Sequence, residues 1–100
     1  MKNCRITVLK IARHDDLIEK YELPLENPCM MSEGQVFLTN GLEKPENFCD
    51  SAWQTLFPFV MTLACGGEGI YGDWMKSPRS AMVSCNDGFR PVSFLVEVVE

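Results

Sequence analysis

A single stretch, residues 47–67 (NFCDSAWQTLFPFVMTLACGG), restricts the fold of this chain more than any other. Its apolar residues recur at the three- and four-residue spacing of an amphipathic helix, namely Trp53, Leu56, Phe57, Val60, Leu63 and Ala64. Asn47 is the predicted N-cap, and Gly66 and Gly67 are expected to end the helix. Pro58 lies in the middle, where it removes one backbone hydrogen bond and crowds the preceding turn. We therefore predict one central helix that is kinked or broken at Pro58.

Shorter segments on both sides of this helix have the alternation and the β-branched composition of strands. The predicted strands are residues 3–12, 35–39, 81–85 and 92–99. The turn sequence at 86–88 joins the last two as a hairpin, and Asp16 with Glu19 matches the capping box of a short helix after the first. This order predicts an α+β fold, in which a small and mostly antiparallel sheet, open or curled towards a half-barrel, packs on the central Pro-kinked helix.

Length and composition are those of one compact domain, residues 1–100, that is able to bury a hydrophobic core. The net charge is −5 and the nine basic residues are scattered singly among acids, so nucleic acid is not an expected partner. No apolar run approaches the roughly 20 residues of a membrane helix. Arg5 and Lys10 interrupt any signal-peptide core. We therefore expect a cytoplasmic protein that binds neither membranes nor nucleic acid.

The five cysteines are an odd number in a chain without an export signal, which indicates reduced thiols. Cys49 falls in the first turn of the predicted helix, where free N–H groups favour a thiolate, although Asp50 beside it opposes ionisation. Buried free cysteine commonly behaves as a small hydrophobic residue. We favour that interpretation for Cys49, and more strongly for Cys4 and Cys65.

A metal site would have to be assembled by the fold, because the chain has one histidine and no C-x-x-C or H-x-x-x-H motif. The candidate ligands are Cys29, Cys49 and Cys85. The run Cys29-Met30-Met31 suits copper(I) or zinc by ligand type, but methionines before a strand are more often core filler. No cofactor is predicted.

Catalytic motifs are equally sparse. His14 beside Asp15 and Asp16 has the composition of an acid–base group, yet no nucleophile lies near it, and a solvated corner explains all three residues. The glycines at 66, 67, 69 and 72 lack the lysine and the helix that a phosphate-binding loop requires. The sequence therefore leans against an enzyme without excluding one.

The hairpin turn CNDGFRPV contains the strongest candidates for a ligand site. Asp87 and Arg90 could pair across the turn and brace it, in which case no function follows. If they instead project into a cleft beside Cys49 and Cys85, they form a polar site with a guanidinium for an anion. Trp74 is a separate candidate, as a surface tryptophan that could stack on a ligand.

Five short motifs are distributed over nearly the whole chain. They are ITVLK at 6–10, E-G-Q-x-F at 33–37, F-C-x-x-A-W at 48–53, G-G at 66–67 and C-x-D-G-x-R-P-V-x-F at 85–94. This combination resembles a family of small uncharacterised prokaryotic proteins. The resemblance implies a single compact domain and no particular activity. It also favours Cys29, Cys49 and Cys85 over Cys4 and Cys65, because these three stand beside the motifs.

The leading hypothesis is a non-enzymatic binding or interaction module for an unknown small ligand or protein, because no acid, base and nucleophile converge. The alternative is a thiol-dependent redox or metal-binding protein that uses Cys29, Cys49 and Cys85. We also expect a homodimer, since the segment after the main helix carries more apolar residues than a small core absorbs. These residues are Ile70, Tyr71, Trp74 and Met75.

Overall fold

A four-stranded antiparallel sheet and two helices make up the fold in a computed structural model that describes residues 1–99. The elements are β1 (Asn3–Ile11), α1 (Asp15–Tyr21), β2 (Val36–Thr39), α2 (Asp50–Ala64), β3 (Ser80–Ser84) and β4 (Val92–Val99). The strand order is β2-β1-β4-β3, and every neighbouring pair is antiparallel. The predicted α+β architecture is confirmed, with an open sheet rather than a closed barrel.

Alternation along the central strands determines which side of the sheet is buried. In β1 the side chains of Cys4, Ile6 and Val8 are buried, whereas those between them are partly exposed. In β4 the buried positions also alternate, beginning at Val92 and continuing through Phe94. These side chains form an inner face, on which α2 packs against β1, β3 and β4. We call the opposite side of the sheet the outer face.

Phe48 lies at the centre of the core, immediately before α2, and is only 2% exposed. Its ring contacts Phe37 edge-on at a centroid distance of 4.9 Å, and it lies 5.5 Å from Phe94 and 6.1 Å from Trp53. One side chain therefore joins β2, β4 and α2. Burial of a phenylalanine side chain stabilises a fold by about 1.5 to 3 kcal/mol.

The N-cap of the main helix lies two residues later than predicted, at Cys49 instead of Asn47. Asn47 has a left-handed backbone (φ 61), which does not suit an N-cap, and Cys49 takes that position without a side-chain capping bond among the described residues. Lys44 donates a hydrogen bond to the carbonyl of Phe48 and pairs with Asp50 in the first helical turn. The burial of Phe48 thus takes precedence over the capping preference of Asn47.

Pro58 does not interrupt α2, which is continuous from Asp50 to Ala64, so the prediction of one central helix is confirmed and the alternative of two separate helices is wrong. Both Pro58 and Gln54, whose carbonyl loses its partner, are exposed, and water can hydrate that carbonyl. The predicted end is confirmed. Gly66 and Gly67 donate to the carbonyls of Leu63 and Thr62, a Schellman arrangement in which Gly66 has φ +94.

Two further expectations are corrected by the structure. The capping box of Asp16 and Glu19 does not form, because α1 begins at Asp15 with His14 as the N-cap residue. Trp53, predicted on the buried stripe, is only partly buried at its margin, where it lies 5.4 Å from Phe57. Within residues 1–99, no helix combines the length and apolarity needed to cross a membrane.

The first prediction concerns Phe48. We expect Phe48→Ala to lower the free energy of unfolding by about 3 to 5 kcal/mol, because it leaves a cavity where three rings meet. Chemical denaturation measures this change. Leu23→Ala is the control, since Leu23 is 79% exposed and its loss should change the stability by less than about 0.5 kcal/mol. Equal effects of the two substitutions would show that Phe48 is not the centre of the core.

A second prediction compares two glycines with nearly the same backbone. Gly41 (φ +92) and Gly66 (φ +94) both have left-handed angles that strain any other residue. A Cβ at Gly41 would lie 2.5 Å from the Cβ of Ala64, whereas a Cβ at Gly66 meets no described atom within 4 Å. Gly41→Ala should therefore destabilise by about 1 to 3 kcal/mol more than Gly66→Ala in thermal or chemical unfolding. Equal losses of stability in the two variants would mean that backbone strain alone causes the destabilisation in each.

Candidate functional site

A cavity of about 430 Å³ opens at the N-terminal end of α2, beside the turn between β3 and β4. We call it the thiol cavity, because Cys29, Cys49 and Cys85 all line it. The other lining residues in the described chain are Asn27, Pro28, Met30, Met31, Ser51, Ala52, Asn86, Asp87, Val92 and Phe94. Its volume falls in the range of pockets that hold small molecules.

The first wall comes from the segment between α1 and β2. Pro24 and Pro28 keep this segment out of helical conformation, so it runs across the end of the domain as an extended loop. Met31 is buried at its far end and packs into the core. Cys29 is half-buried just before this anchor and lines the cavity.

The second wall is the beginning of α2. Cys49 is the N-cap residue of α2, and its carbonyl accepts a hydrogen bond from the N–H of Trp53 at 2.9 Å. Its thiol makes no capping bond within the described chain. Cys49 is half-buried and lines the cavity beside Ser51 and Ala52. The N-terminal position that the sequence predicted for this thiol is therefore retained, although it precedes the first helical residue.

The third wall is the hairpin turn. Cys85 and Val92 face each other at the end of the β3–β4 ladder, where the N–H of Cys85 donates to the carbonyl of Val92 at 3.0 Å. In return the N–H of Val92 donates to the sulfur of Cys85 at 3.2 Å, which holds that side chain in place. Asp87 accepts the backbone N–H groups of Phe89 and Arg90 at 2.8 and 3.1 Å, so one of its oxygens braces the turn.

Arg90 does not pair with the side chain of Asp87, as one sequence hypothesis proposed. Its guanidinium binds the carboxylate of Glu22 through two contacts of 2.8 and 3.0 Å, and both side chains are only 10% exposed. The hydrogen bond that Arg90 donates to Glu22 raises the pKa of Arg90 above its ordinary value, against the effect of burial, and the charges of Glu22 and Asp87 raise it further. The guanidinium thus joins the loop to the hairpin and is already occupied.

Trp74 lies outside the described lining of the thiol cavity. It is 83% exposed and 5.9 Å from the ring of Tyr71, which in turn lies 5.7 Å from Phe59. The hydroxyl of Tyr71 donates to the carbonyl of Met82 at 2.7 Å, and burial raises the pKa of this phenol. Trp74 is therefore the end of an aromatic row on β3's side of the domain, separate from the three thiols.

The remaining cysteines lie elsewhere, and all five are free. Cys4 is fully buried under Val60, and burial raises the pKa of its thiol, as expected for a small hydrophobic residue. Cys65 is exposed at the C-terminal end of α2, so the expectation that it is buried is wrong. Among residues 1–99, no group of three or more His, Cys, Asp or Glu side chains is arranged to hold a metal ion.

The sequence indicated the three thiols, Met30, Met31 and Asp87, which line the cavity. It did not indicate the amides of Asn27 and Asn86, which also line it, or the neutralisation of Arg90 by Glu22. The two prolines of the loop indicated an extended run towards Cys29. No local pattern could have paired Glu22 with Arg90, because 68 positions separate them.

Comparison of the chain with protein-family models, with curated proteins and with solved structures gives no significant match. Function therefore has to be inferred from the geometry of the molecule itself.

The ion pair of Glu22 and Arg90 leads to a third prediction. Glu22→Ala should release the loop from the hairpin, because it leaves a mostly buried guanidinium without its partner. Alkylation of Cys29 by iodoacetamide in native buffer should then be several-fold faster than in the wild type, while the rate at exposed Cys65 stays the same. Site-resolved mass spectrometry measures both rates.

Asp15→Ala is the matched control, since it removes an exposed ion pair with Arg13 and should leave both rates unchanged. An unaltered Cys29 rate in Glu22→Ala would show that this ion pair does not hold the loop.

Proposed function

We propose that this protein is a non-enzymatic binding module of the cytoplasm whose ligand site is the thiol cavity. One observation carries the proposal: Cys29, Cys49 and Cys85 come from three separate parts of the chain and line one cavity of about 430 Å³. Core packing alone does not require three partly exposed thiols at one opening. An odd set of free thiols suits a reducing compartment.

The ligand is inferred from the chemistry of the lining. Pro28 and Met30 provide exposed apolar surface above the buried side chains of Met31, Val92 and Phe94. The amides of Asn27 and Asn86 provide hydrogen bonds. Because Glu22 already neutralises the guanidinium of Arg90, and the described lining residues include no lysine or arginine, they offer no cation to an anionic ligand. Asp87 is the one charged side chain among the described lining residues, and the chain carries a net charge of −5. We therefore expect a small, largely apolar ligand that is neutral or cationic and has a soft or thiol-reactive group.

Thiol-dependent redox chemistry is the second candidate function, favoured by the presence of three half-buried thiols on the same cavity. Oxidation by a small disulfide would join two of them: two protein thiols and one glutathione disulfide give one protein disulfide and two glutathione molecules. The two candidates therefore differ in whether the thiols contact a ligand or exchange electrons.

The fourth prediction tests the cavity with two maleimides that share a reactive group, one neutral and aromatic and one sulfonated. At each thiol we compare the rate with the neutral reagent to the rate with the sulfonated one. This ratio of rates should be at least about tenfold higher at Cys29, Cys49 and Cys85 than at Cys65, because the cavity is apolar and acidic. Site-resolved mass spectrometry gives the rate at each thiol. Cys65→Ser is the control and should leave the three cavity rates unchanged.

The same ratio of rates at all four thiols, or reaction of the three only after unfolding, would remove the cavity as a ligand site. Incubation with glutathione disulfide then separates the two candidates. Loss of two hydrogens between two cavity cysteines, without retained glutathione, would favour the redox function over the binding module.

A further inference from the structure

The outer face of the sheet carries exposed apolar side chains among polar ones, and no described helix covers it. α2 packs on the inner face, and α1 packs on no other described element. Leu38 is 65% exposed and Val36 55% exposed on β2, and Met82 is exposed on β3 at the opposite edge. Antiparallel sheets with one solvent-exposed face normally place polar side chains on that face. Apolar surface in this position is typical of an interface.

The strand register arranges these side chains in rows across the sheet. One row is apolar apart from a threonine and crosses all four strands, in the order Val36, Thr7, Leu95 and Met82. The neighbouring row is Leu38, Arg5, Glu97 and Ser80. At the centre of that row Arg5 and Glu97 form an ion pair of 3.1 Å, and both side chains are still about one-third or more exposed.

We propose that a second copy of this chain covers the outer face, related by a two-fold axis that runs parallel to the strands between β1 and β4. Because the strand order is β2-β1-β4-β3, this axis places β1 over the second copy's β4 and β2 over its β3. Residues of the same row then face each other. Arg5 of each copy meets Glu97 of the other, and Val36 meets Met82.

The charges of this face suit a copy of itself. Arg5, Lys10 and Glu97 are the charged residues that the register places on it, so the acidic excess of the chain lies elsewhere. In the proposed arrangement each arginine has an opposite charge beside it in its own chain and another across the interface, which gives an alternating set of four charges. Two copies can therefore approach through this face without the repulsion that a net charge of −5 produces on the rest of the surface.

The size of the face indicates a reversible dimer. Four strands spaced about 4.8 Å apart, with about six or seven residues each at about 3.3 Å per residue, present roughly 400 Å² in projection. A standard-sized interface buries roughly 800 Å² of accessible surface on each partner. The apolar segment after α2 is a weaker alternative, because Ile70 and Met75 are partly buried and the Tyr71 hydroxyl is already bonded, which leaves Trp74 as its main exposed side chain.

The fifth prediction is a charge-swap experiment on the pair at the centre of the face. Wild-type protein should dimerise as its concentration is raised. Arg5→Glu alone places four acidic groups together at the interface, and Glu97→Arg alone places four basic groups there, so each variant should be monomeric. An equimolar mixture of the two should form a heterodimer, because every charge then faces its opposite in the other chain. Sedimentation velocity measures the assembly state, and native mass spectrometry separates heterodimer from homodimer.

Three outcomes would overturn the proposal: a wild-type monomer at every concentration, single variants that dimerise like the wild type, or a mixture that forms no heterodimer although the wild type is dimeric. Trp74→Ser is the matched control and should leave the dimer intact. A monomeric Trp74→Ser variant would instead place the interface on the aromatic row. If circular dichroism shows that either charge variant is unfolded, Val36→Lys replaces it. Val36 is exposed on an edge strand, and Val36→Lys should likewise be monomeric.

Discussion

The burial of Phe48 is the interaction on which the rest of this structure depends. Its ring packs between Phe37 of β2 and Phe94 of β4 and reaches Trp53 on α2, so the helix and two non-adjacent strands meet at one side chain. Because Phe48 immediately precedes α2, its position also determines where the helix begins. Cys49 consequently becomes the N-cap residue and is brought to the edge of the core instead of into it.

A second constraint, the ion pair of Glu22 and Arg90, decides what the thiol cavity can bind. The pair joins the end of α1 to the hairpin turn, and the loop between α1 and β2 then carries Cys29 past the start of α2. The same pair occupies the guanidinium of Arg90, so Asp87 is the charged side chain left among the described lining residues of the cavity. The ligand chemistry is therefore left to Asp87, the thiols, the amides and the apolar side chains.

The two faces of the sheet serve different purposes in these proposals. The inner face supplies Val92 and Phe94 to the wall of the thiol cavity, whereas the outer face carries the apolar row that ends at Val36 and Met82. Ligand binding and self-association would therefore use opposite sides of one thin layer. No described helix packs on the outer face of the sheet, so the side chains there bear on assembly.

The sequence by itself determined the features that arise from neighbours within a few positions. Alternation identified β1 and β4, the apolar stripe identified α2, and Gly66 with Gly67 marked the helix end, because strand pleat, helical period and left-handed backbone are local properties. Only the tertiary structure decided where α2 begins, since the burial of Phe48 overrode the capping preference of Asn47. It also decided that Arg90 pairs with Glu22 and that three thiols far apart in the chain line one cavity. Such contacts depend on how the elements pack. The local periodicity of a helix or strand does not specify which distant side chains the packing brings together.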